Sequence, residues 1–199
     1  MSQNIVWQRH RLNEVDYEKR AGHRAAVLWF TGFSASGKSS VADYVVWNLF
    51  DRGCRTFLLD GDNIRHGINK DLDFSPLGRK ENIRRVGEIS KLFLQSGHII
   101  VTAFISPYRQ DRESVRKMFA PNQFLEIFTD CPLSVCEERD PKGLYKRAHA
   151  GEIADFTGIG APYEAPLHPD LLLDTNRHDI PTCGQQLINE LVQRRIIAE

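Results

Sequence analysis

The sequence predicts an α/β fold in which five parallel strands form a sheet covered by helices on both faces. Three observations predict it. From residue 25 onward, apolar runs alternate with stretches of helical periodicity. The runs are continuous and not alternating in polarity, as strands buried on both faces require. Polar residues gather just after the runs, at Gly32–Ser39, Asp60-Gly-Asp62, Ser106 and Asp130. Right-handed crossovers bring all the loops after strand C-termini to one edge of such a sheet, where ligands bind.

The elements follow in order. Ala25–Thr31 reads as a buried strand, and a helix from about Lys38 to Asp51 takes Val41, Val45, Trp47 and Leu49 as its apolar positions, with Gly53 as its stop. Thr56–Asp60 is a second strand. Ser75-Pro76 supplies the N-cap and first-turn chemistry of a long helix that Gly97 ends. His98–Ser106, Phe124–Asp130 and Leu171–Thr175 are the remaining strands, and a helix from Ile180 to Ile197, with Pro181 near its start, closes the chain. The stretch Arg139–Pro169 breaks the rhythm. It begins as a helix and ends in about fifteen residues without periodicity, the pattern of a lid or binding loop. The expectation is one domain over 1–199, with a short N-terminal extension at 1–24 and a lid at about 139–160.

Composition narrows the function. Lys+Arg and Asp+Glu number 26 each, so the net charge is zero, which disfavours a general nucleic-acid or membrane-surface binder. Hydrophobic residues make up 41%, enough for a packed core. The longest apolar run, Ala25–Phe30, has six residues against the ~20 needed to span a bilayer, and the polar start shows no secretory signal. A cytoplasmic location is expected. Cys54, Cys131, Cys136 and Cys183 lack metal-site spacing, as do the seven histidines, and no protein-held metal is expected.

Gly32-x-x-x-x-Gly37-Lys38-Ser39 matches the phosphate-binding P-loop, placed between a strand and a helix as the motif requires. Glycines let successive N–H groups turn inward toward phosphate oxygens, and the helix N-terminus adds its positive end. Lys38 would reach the β- and γ-phosphates and Ser39 would bind Mg²⁺. The fold is therefore expected to be that of the P-loop NTPases. A GTPase would need Asn-Lys-x-Asp, whereas Asn69-Lys70-Asp71-Leu72 has Leu at the acidic position and follows no strand. A transporter ATPase would need further signature loops. A small-molecule kinase fits better, since it needs an acceptor surface and a lid against water.

On the acceptor side, Asp60-Gly61-Asp62 could orient Mg²⁺ waters and take a proton from an attacking hydroxyl, and Arg65 could clamp an oxyanion. The inward face of the long helix, followed back from Ile83 and Val86, reaches Asn82 and Arg79, where a bound anion would supply a partner. Phe74 and Phe156 lie in polar, Gly/Pro-containing segments and serve either to stack on a planar base or to anchor their loops in the core.

Six motifs together resemble adenylylsulfate kinase. They are Gly32-Phe33-Ser34-Ala35-Ser36-Gly37-Lys38-Ser39-Ser40, Leu59-Asp-Gly-Asp-Asn-Ile-Arg65, Glu81-Asn-Ile-Arg-Arg85, Phe104-Ile-Ser-Pro-Tyr-Arg109, Arg139-Asp-Pro-Lys-Gly-Leu-Tyr-Lys146 and Phe156-Thr-Gly-Ile159. The resemblance runs in order over nearly the whole chain. It implies ATP- and Mg²⁺-dependent phosphorylation of the 3′-hydroxyl of adenosine 5′-phosphosulfate (APS) to 3′-phosphoadenylyl sulfate and ADP, the second step of sulfate activation. It also implies a homodimer and functional coupling to ATP sulfurylase. By resemblance, Gly32 to Ser40 hold ATP and Arg139 packs on its base. Asp62 is the base or hydroxyl-orienting group, Asp60 supports the Mg²⁺ shell, and Arg65, Arg79 and Asn82 grip the phosphosulfate. Phe74 and Phe156 sandwich the substrate adenine, Ile105 and Ser106 line its site, and Lys142 acts from the lid. Ser106 also matches a serine described as a phosphoserine intermediate. In-line transfer needs positioning and charge neutralisation and no covalent stop, so a hydrogen-bonding role is the expectation here. Ala35 and Asp73 stand where relatives often carry Gly; the second bears on the angle of the Phe74 ring and on affinity, not on reaction type. The alternatives are a P-loop kinase of another small acceptor, such as a nucleoside monophosphate or gluconate, and a non-catalytic nucleotide-binding partner of a sulfurylase.

Overall fold

The strand at the centre of the sheet, β1 (Ala26–Thr31), is buried at every position and so divides two cores. Successive side chains of a strand point to opposite faces. Ala26, Leu28 and Phe30 therefore join one cluster, and Val27 and Trp29 the other. The computed structural model describes Val6 and residues 8–199. Its five strands, β1, β2 (Thr56–Asp60), β3 (Ile99–Ala103), β4 (Phe124–Asp130) and β5 (Leu171–Asp174), lie in the order β2-β3-β1-β4-β5, all parallel. This is the predicted five-stranded parallel sheet with helices on both faces.

On the first face, α2 (Lys38–Asp51) buries Val41, Ala42, Val45 and Leu49, and α8 (Ile180–Gln193) buries Cys183, Leu187, Ile188 and Leu191. On the second, α4 (Pro76–Gln95) contributes Ile83, Val86 and Leu94 and α5 (Arg109–Arg116) contributes Val115. Ser75 caps α4 by accepting from the Gly78 N–H, with Pro76 in the first turn, as the sequence predicts. A third, smaller cluster lies beyond the C-terminal edge of the sheet. There Cys131, Cys136, Tyr145, Ala148 and Phe156 pack with α6 (Leu133–Arg139) and α7 (Leu144–His149) against Phe33 and Ala35.

Three expectations are corrected and one short helix is added. Trp47 is exposed, not in the core. It lies two residues from both Val45 and Leu49, about 200° around the helix from the buried stripe. The third strand ends at Ala103 and does not reach Ser106, whose φ of +39° is incompatible with extended backbone. Asp60-Gly-Asp62, where the sequence predicts no helix, starts a short one, α3 (Gly61–His66), with Asp60 as its N-cap. The closing helix stops at Gln193, four residues short. Within the N-terminal extension, α1 (Glu14–Ala21) is set by a reciprocal capping box between Asn13 and Asp16 and buries none of its residues. No described helix is long and apolar enough to cross a membrane.

The α2–α8 contact tests the packing of the first core. A Cβ built on Gly184 would lie 2.1 Å from the Tyr44 ring. Gly184→Ala is expected to lower stability by about 1–3 kcal/mol, read as a shift of the urea unfolding midpoint at unchanged m-value.

Candidate active site

The loop between β1 and α2 curls because its glycines allow it. Gly32 has φ +150°, and a Cβ there would fall 2.4 Å from Thr129 Oγ1 and 2.8 Å from the Thr129 carbonyl oxygen. Gly37 caps α2 at φ +90° with no side-chain hydrogen bond to the first turn, so the N–H groups there stay available to a ligand. Ala35 also lies at φ +58°, in the left-handed region that Gly would occupy at less cost. The loop is fastened to its neighbours by hydroxyls. Ser36 Oγ lies 2.8 Å from Thr129 Oγ1, which donates to the Thr31 carbonyl, and Thr175 Oγ1 donates to the Ser36 carbonyl at 2.8 Å. Tyr145 donates its phenol to the Ser34 carbonyl at 3.0 Å, tying α7 to the loop.

Lys38 is the central cation. It is 7% exposed, and its ammonium donates to the Phe33 carbonyl at 2.5 Å and to Ser36 Oγ at 3.4 Å. No carboxylate comes within ion-pairing distance of it among the described residues. Burial pulls its pKa down from 10.5 to about 8, against the opposing pull of Asp60 and Asp62. Ser39 donates to Asp60 Oδ2 at 2.8 Å, and Asp60 Oδ1 accepts from the Asp62 N–H at 3.0 Å. A hydroxyl and a carboxylate placed together beside a phosphate-directed lysine form the hard-oxygen donor set that suits Mg²⁺. Ser40 is exposed on the first turn of α2.

The residues that the sequence assigns to the acceptor lie on α3, α4 and the 139–160 stretch. Lys142 forms an ion pair with Asp62, which raises the pKa of the ammonium. Arg65 donates to the Leu72 and Asp73 carbonyls, and its guanidinium carbon sits 4.2 Å from the centroid of the Phe74 ring. Arg79 donates to the Phe74 carbonyl, to Thr157 Oγ1 and to the Asp155 carbonyl, at 2.8, 3.1 and 2.7 Å. Neither arginine faces a carboxylate at ion-pairing distance among the described residues, whereas Arg85, Arg112, Arg116 and Arg194 all do. Burial lowers both pKa values, and the Arg79 charge lowers that of Arg65 further. Two half-buried cations held by neutral oxygens keep their charge unanswered and are chemically suited to an anion.

The sequence left Asn82 in want of a partner, and the structure supplies one. Asn82 Oδ1 accepts from Asn69 Nδ2 at 2.9 Å, a pairing across thirteen residues that helical periodicity does not reveal. Phe74 is exposed, while the Phe156 ring is buried edge-on against Tyr145, centroids 5.0 Å apart. The two segments meet through Arg79 and not ring to ring. Ser106 is 2% exposed; its hydroxyl lies 3.2 Å from the donating Trp29 indole, and the Ile105 carbonyl accepts from Thr31 Oγ1. Arg139 lies on the other side, donating to the Thr175 carbonyl at 2.7 Å and contacting Cys131 Sγ at 3.5 Å. Thr129, Thr175 and Tyr163 are site-forming residues that sequence reasoning missed. The Tyr163 ring packs on Phe33 at 4.7 Å, and nothing in its irregular segment signals that role.

A model of the adenylylsulphate kinase family matches residues 24–174. The chain belongs to that family. It is 57% identical over 194 residues to the adenylyl-sulfate kinase of Geotalea daltonii, covering 98% of this chain and 96% of the relative. It is 52% identical to a probable adenylyl-sulfate kinase of Bacillus subtilis, with 98% of each covered. Among solved structures, the APS kinase CysC of Mycobacterium tuberculosis, in complex with AMPPNP and APS, superposes with a TM-score of 0.82 at 46% identity, covering 85% of this chain and 98% of that one. A gluconokinase from Sinorhizobium meliloti, 17% identical with a TM-score of 0.53, shares the fold alone.

The state of Lys38 sets a pH dependence. Phosphate binding favours the ammonium form, whose folded pKa of about 8 lies below the ordinary 10.5. Nucleotide affinity is therefore expected to be flat below about pH 7 and to weaken roughly tenfold between pH 7 and 9, with proton uptake on binding rising toward one above pH 8. Calorimetric titration with ATP across that range checks it.

Proposed function

We propose that the chain transfers the γ-phosphoryl group of ATP to the 3′-hydroxyl of APS, giving 3′-phosphoadenylyl sulfate and ADP. The observation that carries the reading is the pairing of two cationic walls in an adenylylsulphate kinase chain. Buried Lys38 lies on the phosphate loop, next to Asp60 and Asp62, and Arg65 and Arg79, held by neutral oxygens, lie on α3 and α4, which follow those carboxylates in the chain. Two anionic substrates would complete both walls.

The N–H groups from Gly32 to Ser39 receive the β- and γ-phosphates, and Lys38 neutralises the charge they bring. Ser39 and Asp60 would hold Mg²⁺, which supplies further charge neutralisation at the phosphates when bound. Arg65, Arg79 and Asn82 grip the phosphosulfate, and Phe74 with the Phe156 segment flanks the acceptor base. Asp62 accepts the proton of the 3′-hydroxyl as the new oxygen–phosphorus bond forms and the bond to ADP breaks. Lys142 holds that carboxylate in place through their ion pair. Ser106 positions its loop, and transfer is direct: its hydroxyl is already engaged by Trp29 and nearly inaccessible. Residues 139–160 close over both substrates as a lid that excludes water. A cytoplasmic location, self-association as a homodimer and supply of APS by a sulfurylase belong to the same reading and rest on the family.

Mass analysis after incubation with APS and ATP·Mg²⁺ tests the reaction. The expected product is APS plus one phosphoryl group. Unchanged APS, with a nucleoside monophosphate or gluconate phosphorylated in parallel tubes, would overturn the assignment. Arg79→Ala is expected to raise KM for APS roughly 10- to 100-fold, the cost of about 1.5–3 kcal/mol for a lost charge-assisted hydrogen bond. KM for ATP should stay within about twofold, and initial-rate kinetics in both substrates separate the two.

A further inference from the structure

Behind the acceptor loop, and outside every motif role assigned above, lies the guanidinium of Arg112 on α5. It is 2% exposed. Its Nε donates to Glu126 Oε1 on β4 at 2.6 Å, which answers its charge. The two remaining donor groups go to main-chain carbonyls on different segments. Nη1 donates to the Ser106 carbonyl and Nη2 to the Glu164 carbonyl, each at 2.7 Å.

Both targets lack the support of regular structure. Ser106 sits at φ +39°, a left-handed conformation that costs a non-glycine residue about 1–2 kcal/mol and has to be held from outside. Glu164 belongs to the segment returning from the 139–160 excursion. Its N–H donates to the Pro107 carbonyl at 2.9 Å, its carboxylate accepts from the Arg109 N–H, and Arg109 Nε donates to the Ala165 carbonyl. The neighbouring Tyr163 hydroxyl lies 2.9 Å from Thr31 Oγ1, which donates to the Ile105 carbonyl. One planar group thus joins the loop carrying Ile105 and Ser106 to the root of the lid.

We propose that Arg112 is a positioning residue for the acceptor, acting through the backbone of Ser106 and Glu164. The inference rests on the APS-kinase reading of the site. A buried ion pair with Glu126 alone would not require arginine, since such pairs contribute little net stability and lysine carries the same charge. Three donors in one rigid plane, aimed at three oxygens, are what lysine cannot supply.

The test uses the full chain. Wild-type turnover of APS comes first, since its failure strikes the proposed function and not Arg112; the comparison is then run with whichever acceptor the wild type uses. Arg112→Lys is expected to melt cooperatively and to lower kcat/KM for the acceptor at least tenfold, with KM for ATP within twofold. In a Ser106→Gly background, where positive φ needs no restraint, the same substitution should lose at least threefold less. Glu126→Gln removes the charge pair yet keeps an acceptor for Nε. It should lower the melting temperature and leave the acceptor KM within twofold, a result readable even if Arg112→Lys does not fold. The proposal is overturned by equal loss toward both substrates, by a melting shift without kinetic change, by an undiminished loss in the Ser106→Gly background, or by Glu126→Gln raising the acceptor KM as Arg79→Ala does.

Discussion

At the C-terminal edge of the sheet the fold has removed the Lys38 charge from water and placed no carboxylate within ion-pairing distance of it among the described residues. Holding the Lys38 ammonium at a pKa near 8 in place of 10.5 costs the folded chain about 3 kcal/mol below pH 8. That cost fades as the pH climbs toward the ordinary lysine value, because the buried amine is then neutral. The sheet meets it elsewhere, in the fully buried strand β1 and the two cores on either side of it. A phosphate chain returns it at the moment of binding. The arrangement is stable enough to exist empty and better satisfied when occupied.

The same logic runs through the opposite wall with a different device. Arg65 and Arg79 are not sealed from solvent; Arg65 directs Nη1 at two carbonyls, and Arg79 directs its three nitrogens at two carbonyls and one hydroxyl. Neutral oxygens orient a guanidinium without discharging it. By contrast, the α4 surface cations Arg84 and Arg85 are met by Glu81 and Asp71, and the network of Arg116, Arg194 and Asp170 serves to join α5, α8 and the approach to β5. Arg84, Arg85, Arg116 and Arg194 thus each have a carboxylate beside them, and Arg65 and Arg79 have none among the described residues.

Much of this was legible beforehand where local chemistry decides it. The glycines and Lys38 of the phosphate loop, the Ser75-Pro76 start of α4 and the continuous apolar strands each carry their own signal, and the sheet follows. Signals failed where the deciding partner lies far along the chain. Asn82 reads as solitary because Asn69 reaches it from the loop after α3. Ser106 reads as a strand end because the conformation that stops the strand is held by Arg112 and capped by Trp29. The helix α1 buries nothing, so periodicity is silent and only its capping box betrays it. Trp47 misled for the opposite reason, an aromatic side chain suggesting burial on a face that the helical period turns outward.

The third core has a mechanical meaning of its own. Its residues come from α6, α7 and the Phe156 segment, yet Phe33 and Ala35 of the phosphate loop pack against them, and the Tyr145 phenol is bound to Ser34. A flap hinged on bare coil could swing without informing the nucleotide. One whose greasy underside rests on the loop itself shares its packing, so that a displacement of the loop bears directly on α6 and α7.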